Sequence, residues 1–116
     1  MAVTVNNMSD SAGVVNYATG QLTTDAGAAA ALVLQLGFLP RYFRLVQITG
    51  GTPYTMWEWL EGMGAVTITT APSNGAKSNV ANGITVGAAN TAAERSVTLA
   101  AGLLAVSSTL VWEAQG

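Results

Sequence analysis

Glu58 and Glu61, three residues apart, are the closest pair of carboxylates in the chain. A general acid and a general base would be sought first at such a pair. They lie in Tyr54–Glu61, whose aromatic and β-branched character reads as a strand, and an odd separation in a strand sends two side chains to opposite faces. One strand therefore does not assemble them into a dyad, and a salt bridge or hydrogen bond for each is the better reading. Trp57 and Trp59 do share a face and could stack on a sugar or enclose a cation; core packing is the stronger expectation. Gly62-Met63-Gly64 opens like a dinucleotide-binding loop, but position 67 is Thr where the fingerprint needs Gly. Thr49-Gly50-Gly51-Thr52-Pro53 holds no Lys and sits where a hairpin must turn. Asn7-Met8-Ser9 matches a glycosylation acceptor without a secretory signal before it. With no His and no Cys, no Ser or Thr can borrow an imidazole, and thiol chemistry is excluded. A metal site would need oxygen ligands alone, and Asp10, Asp25, Glu94 and Glu113 are scattered. The reading assigns no catalytic, cofactor-binding or metal-binding residue and expects a protein that is not an enzyme.

Only four basic and six acidic residues occur among 116, against about a quarter charged in an ordinary domain. So few charges suit a surface that largely faces other protein. Four basic residues make a poor footprint for nucleic acid or for an anionic membrane. The N-terminal MAVTVNNMSDSAG lacks the basic and apolar regions of a signal peptide. Ala26–Leu39 is the most apolar stretch and falls short of the roughly 20 residues needed to span a bilayer. The expectation is a soluble product, or a virion component assembled in a host cytoplasm.

Short runs of Val, Ile, Thr and aromatic residues, bounded by Gly, Asn, Pro and Ser, recur about every ten residues, the spacing of an all-β sandwich or barrel. The expected strands are Ala2–Asn6, Val14–Thr19, Ala30–Leu36, Arg41–Ile48, Tyr54–Glu61, Ala65–Thr70, Ile84–Ala88, Ser96–Leu99 and Thr109–Ala114. Ala26–Leu36 is Ala-rich enough for a helix, but Leu32, Leu34 and Leu36 alternate as in a strand. Ala88–Ala93 could form a helical turn. Ala71–Gly83, polar and holding two Asn-Gly pairs, reads as a long surface loop. The fold expected is a single all-β domain, an antiparallel β-sandwich of jelly-roll-like type.

The segment RYFRLVQITGGTPYTMWEWLEG reads as a hairpin with Ile48 and Tyr54 as its last pair. That register sets Arg44 opposite Glu58 and Arg41 opposite Glu61, two opposite-charge pairs that support it. Arg44 and Glu58 are expected to form a charge-assisted pair. One face carries Phe43, Leu45, Trp57 and Trp59; the other carries Tyr42, Val46, Ile48, Tyr54, Met56 and Leu60 around Arg44 and Glu58. A half-solvated strand has one polar face, and this hairpin has none. Its second face is covered either by more of this chain or by another chain. Tyr42, Arg44, Tyr54, Met56 and Glu58 are the candidate interaction residues.

GFLPRYFRLVQIT…WEWLEGM at Gly37–Met63, NGITVG at Asn82–Gly87 and SSTLVWEAQG at Ser107–Gly116 together resemble a group of small proteins encoded among the structural genes of tailed bacteriophages. That group typically shows a Gly-Phe-x-Pro-x-Tyr strand, a Trp-Glu-Trp strand, a Gly-Ile-Thr-Val strand and a closing aromatic strand, in this order. Gln47 stands where the pattern usually has Asn. The resemblance implies a virion protein, first of all a capsid decoration or cement protein. Such a protein would bind the major capsid protein lattice as a homo-oligomer, a trimer above all. A tail or fibre component that binds a host glycan through Trp57, Trp59 or Tyr54 is the alternative.

Overall fold

A computed structural model describes residues 2–10, 16–86 and 95–116. Among the described residues, ten strands form two antiparallel sheets: β1 Val3–Asp10, β2 Tyr17–Thr24, β3 Leu32–Gln35, β4 Tyr42–Thr49, β5 Met56–Leu60, β6 Val66–Thr70, β7 Lys77–Ala81, β8 Ile84–Val86, β9 Ser96–Leu99 and β10 Thr109–Gln115. The large sheet has the order β1-β2-β10-β4-β5-β6-β7, and the small one the order β3-β9-β8. The all-β antiparallel sandwich expected from sequence is the architecture observed. The Cα radius of gyration is 13.4 Å, matching the roughly 13 Å of a compact domain of this length.

Period-two alternation explains which side of each strand is buried. Leu22, Phe43, Leu45, Trp57, Leu110 and Trp112 turn inward from the large sheet and meet Leu34, Ile84, Val97 and Leu99 from the small one. A 3-10 turn at Ala101–Leu103 adds Leu103 and Leu104 to this core. Phe43 and Trp112 stack with ring centroids 5.7 Å apart. Each fully buried large side chain contributes about 1.5–3 kcal/mol.

The strand ends differ from the expectation in instructive ways. β2 continues through Gly20 to Thr24, although Gly20 reads as a stop. Gly20 pairs with Trp112, and a Cβ built there would lie 2.7 Å from the indole Nε1. The glycine is room for a tryptophan rather than a turn. Gly20→Ala is accordingly expected to lose about 1–3 kcal/mol through overpacking. Chemical denaturation checks it, and an unchanged midpoint would mean the indole shifts at no cost. At Ala26–Leu36 only Leu32–Gln35 is regular, and it is strand. The expected strand start at Val14, and the helical turn at Ala88–Ala93, lie outside the described residues.

The long loop expected at Ala71–Gly83 is corrected: it contains β7, paired with β6 from Val66↔Ala81 to Thr70↔Lys77. Asn74-Gly75 is the hairpin turn. Asn74 Oδ1 accepts the Ala76 N–H at 3.0 Å, and Gly75 takes φ 71°. β7 is an edge strand, mostly exposed, so it carries polar residues and Lys instead of an apolar alternation. The second Asn-Gly moves the chain between sheets. Asn82 adopts φ 54°, and a Cβ at Gly83 would press tightly on Leu103 and Thr67, at 3.2–3.3 Å.

A buried polar knot ties one end of the sandwich. Thr24 Oγ1 donates to the Ala105 carbonyl at 2.5 Å and accepts the Ser108 N–H at 2.9 Å. Ser108 Oγ also donates to the Ala105 carbonyl at 2.6 Å. Gln47, buried in the same region, donates from Nε2 to the Gly50 carbonyl. The Gln47 side chain is thus long enough to close the β4–β5 loop.

Candidate interaction face

The small sheet covers one face of the large sheet, and the opposite face is built by the outward residues of β2, β10, β4, β5, β6 and β7. The register lines these residues into cross-strand rows. One row runs Thr19, Glu113, Arg44, Glu58, Ile68, Asn79. The next runs Gln21, Val111, Val46, Met56, Thr70, Lys77. On the other side lie Tyr17, Gln115, Tyr42 and Leu60, with Val66 following on β6.

Two similar polar units cross the middle of this face. Glu113 accepts the Tyr17 hydroxyl at 3.0 Å through Oε2 and pairs with Arg44 at 3.2 Å through Oε1. Glu58 accepts the Tyr42 hydroxyl at 3.2 Å through Oε2 and meets Lys77 at 3.8 Å through Oε1. Lys77 Nζ also donates to Thr70 Oγ1 at 2.9 Å, which holds it back over β6. Each carboxylate thus spends one oxygen on a phenol and the other on a cation.

The Arg44–Glu58 register is as expected, but the ion pair expected between them is corrected. Arg44 lies between β5 and β10, with a carboxylate across from it on each. Its guanidinium closes on Glu113, while Glu58 is engaged by Lys77 and Tyr42. Arg41 and Glu61 do pair, at 3.5 Å, with both side chains exposed; such a pair contributes little.

Four of the five candidate residues, Tyr42, Arg44, Met56 and Glu58, share this face. Tyr54 does not. The expected Ile48–Tyr54 pair is absent, because β5 starts at Met56 and Tyr54 sits in the loop with φ 67°. Its N–H donates to the Gln47 carbonyl instead, and the residue is 68% exposed. Trp57 and Trp59 are 7% and 8% exposed and belong to the core, so neither offers its ring to a ligand. Trp59 Nε1 donates to the Gly64 carbonyl at 3.0 Å, which makes Gly62-Met63-Gly64 the β5–β6 turn.

Glu113, Tyr17 and Lys77 complete the face and were not singled out from sequence. Alternation of buried Leu110, Trp112 and Ala114 would have placed Glu113 outward. Nothing local shows that β10 lies beside β4. Asp25 does a separate, local job: it accepts the Gly27 and Ala2 N–H groups at 2.8 and 3.1 Å, and these bonds hold its carboxyl below the usual range. Among the described residues, no group of three or more acidic, His or Cys side chains could hold a metal ion. A shallow depression of about 140 Å³ lies between Thr19, Arg44, Val46, Val111, Trp112 and Glu113. Pockets for drug-sized ligands measure about 300–1,000 Å³, so this depression is too small to be one.

Burial, and then the charge of Glu58, raises the Tyr42 phenol above its ordinary 10.0. The folded state therefore holds this proton more tightly than the unfolded one. Its contribution to stability is complete below pH 10 and is lost as pH rises through the folded value. Glu58→Gln removes the charge and leaves the burial, so the Tyr42 midpoint is expected to fall part of the way toward 10.0. Ultraviolet titration of phenolate checks this, and an unmoved midpoint would refute the contact.

Comparison with protein-family models, with curated proteins and with solved structures finds no match to this chain.

Proposed function

We propose that the protein is a structural component of a tailed-bacteriophage virion, a decoration or cement protein seated on the outside of the head. The observation that carries this reading is the outer face of the large sheet. Its aliphatic and aromatic rows flank a charge row already neutralised within the chain. Such a face suits protein contact, where aromatic residues, Met and Arg are enriched. The ordered resemblance of the Gly37–Met63, Asn82–Gly87 and Ser107–Gly116 segments supplies the virion context. Function here needs no bond-making. A protein that binds the assembled major capsid lattice and not its free subunits stabilises the shell by mass action. Several weak contacts from one homo-oligomer, a trimer at three-fold points, would add through avidity.

The test is mass spectrometry of gradient-purified virions, followed by reconstruction of the head. Peptides of this chain at hundreds of copies, with density on the shell, support the proposal. Absence from the particle would overturn it. Density only at the tail would replace it with the tail or fibre reading, for which Tyr54 is the exposed aromatic.

A further inference from the structure

We propose that the outer face of the large sheet binds a second copy of this chain, face to face, about a two-fold axis lying along the strands between Arg44 and Glu58. The inference concerns self-association alone: it sets a pair where the proposed function has a trimer, and it does not depend on the virion role.

Charge order is the first argument. Across the strands the groups run Glu113, Arg44, Glu58 and then the Lys77 ammonium, which its bonds to Glu58 and Thr70 hold over β6. The sign alternates along this line. A two-fold between the middle two sets Arg44 of one copy against Glu58 of the other, and Glu113 against Lys77. A two-fold interface must be self-complementary in this sense. The axis runs parallel to the strands, so each cross-strand row meets its own counterpart, and Val46 meets Met56 beside the charges. Twisted sheets pack at about 30° to each other, which misaligns the ends of the face before its centre, where the charges sit.

Area is the second argument. About this axis the six strands from β2 to β7 in sheet order overlap; at about 4.8 Å spacing they span about 24 Å, and strands of five to eight residues run about 17–27 Å. The footprint is roughly 400–650 Å², against about 800 Å² per partner in a standard interface. A dimer of modest, concentration-dependent stability follows. Leu60 and Val66, 46% and 39% exposed, lie at the flank of this face and are the apolar surface such pairing removes from water. A two-fold face joins chains in pairs, so any three-fold arrangement on a shell would be imposed by the lattice.

Sedimentation over a dilution series of the purified full chain reads the result. The wild type is expected to move from monomer to dimer as concentration rises. Arg44→Glu should weaken the dimer at least tenfold, and Arg44→Glu combined with Glu58→Arg should restore it. Because Arg44→Glu also breaks the pair with Glu113, circular dichroism checks its fold. If it is unfolded, Met56→Lys, on a half-buried residue of the adjoining row, serves instead and should weaken the dimer similarly. A wild type that stays monomeric at all concentrations overturns the proposal. So does a dimer or trimer indifferent to Arg44→Glu and Met56→Lys; the trimer would leave the head role standing. A dimer sensitive to these changes but missing from virions would keep this face and remove the head role.

Discussion

Trp59→Ala is expected to cost about 3–5 kcal/mol of folding stability, the range for truncating a buried large aromatic. Trp59 is buried on β5 opposite Phe43, and its indole N–H holds the carbonyl of Gly64 in the following turn. The substitution therefore opens a cavity and frees the β5–β6 turn together. Urea denaturation at fixed pH measures it. A loss below about 1 kcal/mol would be surface behaviour and would reinstate Trp59 as a ligand-facing residue. Trp59→Phe separates the two effects, since it keeps most of the volume and gives up only the hydrogen bond.

Thr24→Val is expected to cost about 1–3 kcal/mol even though the two side chains have nearly the same shape. The hydroxyl both donates to the Ala105 carbonyl and accepts the Ser108 N–H. A methyl in its place leaves the buried Ser108 N–H unsatisfied, at about 1–3 kcal/mol, while the Ala105 carbonyl keeps the Ser108 hydroxyl. Thr24→Ser, which keeps the hydroxyl, should recover most of the loss. Equal melting of the Val and Ser variants would show that packing, not hydrogen bonding, holds this end of the sandwich.

Local chemistry made part of this fold legible. In Arg41–Glu61 the charged residues mark the hairpin register, because it sets Arg44 opposite Glu58 and groups Phe43, Leu45, Trp57 and Trp59 on one face; which of the two apolar faces is the core shows only in the folded structure. Elsewhere a local signal pointed the wrong way. Gly20 and Asn74-Gly75 are breakers by type. Gly20 is tolerated mid-strand because a tryptophan fills the space above it. Asn74-Gly75 turns a hairpin whose second strand is too polar to announce itself. The Arg44–Glu58 ion pair failed for a different reason. A strand has two neighbours, and the hairpin partner is the only one that short-range reasoning supplies. Arg44 found Glu113, far along the chain, and no property of either residue encodes that meeting. Tyr54 failed because a left-handed backbone at a tyrosine is rare and composition does not foretell it.

The placement of β10 between β2 and β4 has a consequence for how the protein comes into being. During synthesis the β1–β2 hairpin emerges first, yet it has no hydrogen-bonded route to β4 until Thr109–Gln115 has been made. Until then the nascent chain holds a two-stranded ribbon and a separate four-stranded meander, each with an open edge on β2 or β4 and with Leu22, Phe43 and Leu45 short of the partners they have in the finished core. Closure over so long a separation in sequence is slow, and open edges are where strands from different chains join. Lengthening the interval between synthesis of β4 and β10, by stalling or by inserted sequence, should therefore raise the fraction of chains lost to aggregation without altering the stability of those that finish.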